Sequence, residues 1–225
     1  MSLPCLILAA GFGTRMGALT ADRPKPLIDV AGQTLLDHAL DAAEGAGPIT
    51  VNAHFHADQI AQHLAGRGIT IQHEQPKILD SGGAVKRAAQ GLKGPMATLN
   101  ADNVWTGTAP VPQLQAAFDP AKMGALLLLT PRAQAIGRIG GGDFAMAPNG
   151  RLTFDKSADT YVYTGAQILD PAPCVNDPRD VFSLRDIWQD YAAQGRLFGL
   201  VHQGRWADVG HPEGIRIAED MLHAV

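Results

Sequence analysis

The chain has little of what would mark several common functions. Its 225 residues include only two cysteines, Cys5 and Cys174. Two thiols cannot build a thiolate zinc cage or a disulfide framework. One lies in an apolar run and the other in a Pro-rich loop, so both read as free thiols of a cytoplasmic protein. Lys and Arg number 18 against 22 Asp and Glu, a net charge of −4 with no basic run. That balance argues against nucleic acid as a partner and leaves room for a local phosphate pocket. The apolar stretches are short and interrupted, so no membrane span is expected. Residues 1–20 lack a basic start, an apolar core and a small-residue cleavage site, so no leader is expected either. No repeat is visible. His54, His56 and His73 are not spaced to hold a metal from one helix face.

Against these absences stands one dense segment. Residues 9–26 read A-A-G-F-G-T-R-M-G-A-L-T-A-D-R-P-K-P and follow the apolar run Leu3–Leu8. A strand that ends in a Gly-rich loop lets backbone N–H groups close around phosphate oxygens. Gly11 and Gly13 remove side chains that would block that approach and permit positive φ. Arg15 adds a fork of donors suited to polyphosphate. Pro24 and Pro26 hold the chain extended around Lys25. The loop lacks the third glycine of a dinucleotide fingerprint and the G-K-[ST] of a Walker A loop.

The first half of the chain alternates strands and helices. Strands are expected at 3–8, 49–52, 69–72, 96–100 and 125–130, and helices at 34–44, 57–64 and 83–91. This rhythm implies right-handed crossovers and a parallel sheet with helices on both sides. Residues 137–155 carry turn signals between half-apolar runs, which predicts a hairpin. A strand at 161–169, a helix at 183–193, a strand at 198–201 and a helix at 212–223 complete the reading. No composition break marks a second domain.

Two aspartates occupy informative places. Asp102, in L-N-A-D-N-V-W, falls at the carboxyl end of an expected strand, where open α/β sheets collect ligands. Asp208, in R-W-A-D-V-G-H, follows another apparent strand. Each could equally be a loop aspartate that caps or turns. In L-D-S-G-G-A, Asp80 or Ser81 could cap a helix, while Gly82 and Gly83 could let a planar base lie on the backbone. Lys156 could be an ordinary surface lysine. Gly142-Asp143-Phe144 could be a hairpin edge, and Thr164-Gly165 a bulge. Trp105 and Trp206 read as packing residues beside the two aspartates.

With G-x-G-T-R, P-K-P, L-D-S-G-G, N-A-D-N-V-W, G-G-D-F and W-A-D-V-G-H in hand, the chain resembles the sugar-1-phosphate nucleotidylyltransferases from Leu6 to Glu219. Its likeness is to the short uridylyltransferases that act on N-acetylmuramic acid 1-phosphate in peptidoglycan recycling. Mannose-1-phosphate guanylyltransferases share most of the same strings. The resemblance implies a Rossmann-like, GT-A-like α/β nucleotidyltransferase fold. Its mixed sheet would carry helices on both faces and a small hairpin sub-region, in one domain over residues 1–225. Many members carry a C-terminal β-helix; none is expected here, nor the acyltransferase activity that goes with it.

What the resemblance implies for the site is specific. NTP (UTP, or GTP in the mannose enzymes) would lie on Ala9, Ala10, Gly11, Gly13, Thr14, Arg15, Lys25, Asp80, Gly82, Gly83 and Asn100. Arg15, Lys25 and Asp102 would be catalytic, and Asp102 with Asp208 would hold Mg²⁺. The sugar 1-phosphate would meet Asp143, Lys156 and Gly165. The chain departs from the family at Ala101, which stands where a glycine is usual, and at the added Asn103. A monomer or small homo-oligomer without nucleic-acid or membrane partners is expected. A non-catalytic nucleotide sensor on this fold would be expected to lose Arg15, Lys25 or an aspartate, and all are present. A cytidylyltransferase for a non-sugar alcohol phosphate is disfavoured by W-A-D-V-G-H.

Overall fold

The computed structural model describes residues 2–157 and 160–224. Strand β1 (Cys5–Leu8) is apolar throughout because both of its faces are covered. Cys5 and Ile7 pack into one layer and Leu6 into the other, the two-residue period of a strand. The first half continues with β2 (Asp29–Val30), β3 (Gln33–Thr34), α1 (Leu35–Ala42), β4 (Ile49–Ala53), α2 (Ala57–His63), β5 (Thr70–His73), α3 (Asp80–Ala88) and β6 (Met96–Asn100). The second half holds β7 (Asn103–Trp105), α4 (Pro110–Ala117), β8 (Ala125–Pro131), β9 (Phe144–Met146), β10 (Leu152–Phe154) and β11 (Tyr161–Leu169). It ends with α5 (Ala172–Asn176), α6 (Leu184–Ala193), β12 (Leu197–Val201), β13 (Trp206–Asp208) and α7 (Pro212–His223).

The expected parallel sheet is present in the first half and becomes mixed in the second. Strands β5, β4, β1 and β6 run parallel. Strand β11 lies antiparallel to β6 and to β8, and β12 is parallel to β8. The hairpin β9–β10 joins β11 at Tyr161. One core layer lies under α1, α2 and α4, where Leu36, Ile60 and Leu114 are buried. The opposite layer lies under α3, α5 and α6, with Val85, Cys174 and Ile187 buried. Among the described residues, no helix is long and apolar enough to cross a membrane.

A separate two-stranded ribbon positions the site. Strand β7 pairs antiparallel with β13, placing Trp105 opposite Trp206 and Asn103 opposite Asp208. A third small core of Met16, Leu35, Val104, Ala207, Val209 and Met221 supports it. The sequence reading missed this ribbon and α4, because three-residue strands and a helix opening P-V-P carry little periodicity. Trp206 is buried and donates from Nε1 to the Thr164 carbonyl at 2.9 Å.

His202 secures the segment entering β13. Its Nε2 meets the Thr106 carbonyl at 3.1 Å, and its Nδ1 faces the Gln113 amide at 3.0 Å. The Gln113 carbonyl in turn accepts from the Gln203 N–H at 2.9 Å. These partners suit the neutral ring, and burial lowers the His202 pKa below its usual 6.5. The unfolded chain therefore binds more protons than the fold between that lowered value and 6.5. Stability is full above pH about 6.5 and falls as the pH drops from there. Thermal melts from pH 8 to 5 should show this loss, and His202→Gln should flatten it. An unchanged slope in the variant would remove His202 from the account.

Candidate active site

The loop after β1 is shaped by one glycine. Gly13 has φ +64°, and a Cβ there would come within 2.8 Å of the Lys25 Cβ. Only glycine fits both the left-handed backbone and that approach. Gly11 does not adopt positive φ; a Cβ there would meet nothing within 4 Å. Its use is open space above the backbone. The expected positive φ is thus corrected for Gly11, while the expected lack of a blocking side chain matches the open space found there. The segments Thr14–Thr20 and Lys25–Leu27 are short 3₁₀ turns that carry Arg15 and Lys25 to the cavity.

A cavity of about 400 Å³ opens at the carboxyl ends of β1, β4 and β6. Of the residues expected to bind nucleotide, Ala9, Ala10, Gly11, Gly13, Thr14 and Arg15 line it, with Lys25, Asp80 and Asn100. A second cavity of about 240 Å³ lies on the other side of Asp102. The two share Arg15, Asn100 and Asp102 as a common wall. Asp208 and Asp143 line the second cavity.

Charge converges at that wall. The Lys25 ammonium lies 2.8 Å from the Asp102 carboxylate, with only 10% of the lysine side chain exposed. Asn103 donates to the other Asp102 oxygen at 3.0 Å. Burial raises the Asp208 pKa, and the nearby Asp102 charge raises it further, while Lys25, Arg138 and Arg15 pull it down. A Cβ on Gly210 would sit 3.2 Å from an Arg15 guanidinium nitrogen and from both Asp208 oxygens. The Val209 N–H donates to the Asp102 carbonyl at 3.0 Å, tying the two aspartate segments together. Arg15 is exposed and pairs with no carboxylate among the described residues.

The departures from the family pattern fit locally. Ala101 is buried and its φ is not positive, so no glycine is required there. Asn103 is buried beside Gly165, whose φ is +87° and whose added Cβ would come within 2.5 Å of the Asn103 amide. Gly165 lies in the bulge of β11 between Tyr163 and Gln167, beneath the site.

Other expected residues are placed differently. Gly82 and Gly83 receive the loop before α6: added Cβ atoms would strike the Phe182 ring and the Asp180 carbonyl. They support α3 against that loop and do not line the cavity. Neither Asp80 nor Ser81 caps α3 in the ordinary way. Leu79 is the N-cap, Asp80 has φ +59°, and the Ser81 hydroxyl accepts from the Leu184 N–H at 3.0 Å. Lys156 is exposed and lines neither cavity.

Sequence reasoning missed a buried polar chain beneath the first cavity. The Asn52 side chain accepts from the Ala9 N–H at 2.6 Å and donates to Glu74 at 2.8 Å. The second Glu74 oxygen accepts from the Leu79 N–H at 2.8 Å. This chain fixes the Gly-rich loop to the segment that leads into α3. The position of Asn52 near the carboxyl end of β4 was the available signal.

Gly11→Ala should fold like the parent and weaken nucleotide binding by intruding into the cavity. Gly13→Ala should lower the melting temperature, since alanine is strained at this φ and meets Lys25. Melting curves and nucleotide titrations on both variants check the contrast, which equal stability losses would contradict.

Residues 5–138 match the family model described as the MobA-like NTP transferase domain. The chain is 36% identical to the N-acetylmuramate alpha-1-phosphate uridylyltransferase of Caulobacter vibrioides, with 96% of each chain covered. It is 29% identical to the enzyme of the same name from Neisseria meningitidis serogroup B, over 92% of this chain and 93% of that one. Its fold is similar to that of HddC from Yersinia pseudotuberculosis, at a TM-score of 0.74 and 20% identity, covering 98% and 99% of the two chains. Fold, loop and the full-length match agree that this chain belongs to the MobA-like NTP transferase family of nucleotidyltransferases.

Proposed function

We propose that the chain transfers a uridylyl group from UTP to N-acetylmuramic acid 1-phosphate, releasing pyrophosphate. One observation carries this reading. Two cavities meet at a wall of Arg15, Asn100 and Asp102, so a nucleotide on one side and an acceptor phosphate on the other would face each other there. The full-length relatives of that name support the choice of substrates. Residues 1–225 act as one nucleotidyltransferase domain in this reading. The cytoplasm is the setting assigned, in keeping with two buried free thiols. The active form is assigned as a monomer or small homo-oligomer.

The acceptor phosphate oxygen attacks the α-phosphorus in line, forming a new P–O bond as the bond to pyrophosphate breaks. That oxygen is already anionic near neutral pH, so no general base is needed. The chain's task is to position two anions and offset their repulsion. Backbone amides of residues 9–14 hold the nucleotide phosphates, with Thr14 at the turn. Arg15 draws off charge as pyrophosphate leaves. Lys25, held against Asp102, bridges the α-phosphate and the attacking phosphate.

The donor set also suits Mg²⁺, which takes one or two carboxylates and completes its shell with water and phosphate oxygens. Asp102 and Asp208 are hard oxygen donors on one cavity, and no cluster of three or more metal-ligating side chains exists among the described residues. Burial, and after it the Asp102 charge, raises the Asp208 pKa, and a divalent cation would offset both effects. When bound, the cation would neutralise phosphate charge.

The test is a matrix of four NTPs against muramic, glucosamine, glucose and mannose 1-phosphates, read by pyrophosphate release. UTP with N-acetylmuramic acid 1-phosphate should be fastest. Asp102→Asn should cut that rate on the order of 10²–10³, as loss of one preorganised charged group does elsewhere. Absence of pyrophosphate from every pair, or near-parental turnover by Asp102→Asn, would refute the reading.

A further inference from the structure

The acceptor-side cavity holds one cation that uridylyl transfer leaves unused. Arg15 and Lys25 serve the reacting phosphates in the reading above. Arg138 is already paired: its Nη2 lies 2.9 Å from one Asp143 oxygen, and the other Asp143 oxygen accepts from the Tyr163 N–H at 3.0 Å. Asp143 is thereby occupied on both sides, while the Arg138 Nε stays buried with no partner among the described residues. Arg185 is left over. It lines the same cavity and pairs with no carboxylate among the described residues.

Its position is built. Arg185 is the second residue of α6, and Trp188 follows three residues later on the same helix face. The Arg185 guanidinium lies 4.7 Å from the centroid of the Phe154 ring. Trp188 is fixed by its Nε1 bond to Gln167 at 2.9 Å and packs edge-on to Tyr163 at 4.9 Å. An arginine resting on an aromatic ring presents its planar fork with little further ordering. Hydroxyl groups of a neutral sugar do not call for a guanidinium. A carboxylate does, in bidentate geometry.

We propose that Arg185 is a specificity-determining residue that pairs with a carboxylate carried by the sugar, distinct from the 1-phosphate. The substrate class is then an acidic sugar 1-phosphate. This rests on the transferase reading above and adds the group that selects the acceptor.

The experiment compares kcat/KM for N-acetylmuramic acid 1-phosphate and N-acetylglucosamine 1-phosphate, with UTP, in the parent and in Arg185→Gln and Arg185→Lys. The two sugars differ by the lactyl carboxylate. The parent should prefer the acidic sugar. Arg185→Gln should collapse that preference by about 10- to 100-fold, the loss of one charged hydrogen-bonded pair, chiefly through the sugar KM. Arg185→Lys should restore part of it. A ratio that stays at the parental value, or an equal fall for both sugars, would overturn the proposal by assigning Arg185 to the phosphate or to the fold. Turnover by the parent with the neutral sugar alone would overturn this inference and leave nucleotidyl transfer standing. No turnover with any sugar phosphate would defeat both.

Discussion

Two carboxylates held close together in a partly buried wall set the terms for this molecule. Asp102 follows a strand of the main sheet and Asp208 ends a strand of a separate ribbon. The pairing of β7 with β13, and the backbone bond from Val209 to Asp102, bring them to one place. Burial and the Asp102 charge both favour the protonated form of Asp208. The folded-state pKa is therefore raised, and the stabilisation from that proton is lost as pH rises through it. At neutral pH the fold tolerates the repulsion because Lys25 is fixed against Asp102 and Arg15 and Arg138 stand near Asp208. Charges of both signs gathered in one cleft, with a perturbed carboxylate among them, are a common feature of functional sites.

The two cavities are built from different materials. On the side proposed for the nucleotide, the small residues Ala9, Ala10, Gly11, Gly13 and Thr14 follow β1 in the parallel half of the sheet. The acceptor side is a wall of side chains, Tyr163, Trp188, Arg138 and Arg185, delivered by the antiparallel half and α6. A backbone cradle suits phosphate, which every NTP carries. A side-chain wall can vary with the acceptor. In the proposed reaction, generic binding and selective binding would thus come from opposite halves of one sheet.

That division also decides what could be read from the sequence. That the Gly-rich loop, Arg15, Lys25 and Asp102 share one cavity was legible, because G-x-G-T-R and P-K-P set fixed residue types at short spacing after a strand. The main strands were legible because an apolar run such as Ala125–Thr130 must be buried on both faces. The role of Gly82 and Gly83 was not, because their purpose is to admit Phe182 and the Asp180 carbonyl, about 100 residues later in the chain. Arg185 and Trp188 read as ordinary helix residues until α6 is set beside β10 and β11. The bulge at Gly165 was legible as an alternative, and it proves to make room for Asn103, the very residue added to the family pattern.

In the proposed reaction Asp102 and Asp208, carried by two different sheets, act as one cation seat. Its most direct test is Mn²⁺ binding measured by electron paramagnetic resonance, with a non-hydrolysable UTP analogue present, on the parent, Asp102→Asn and Asp208→Asn. One tightly held ion is expected in the parent, and its loss in each single variant. Parental affinity retained by either variant would contradict it.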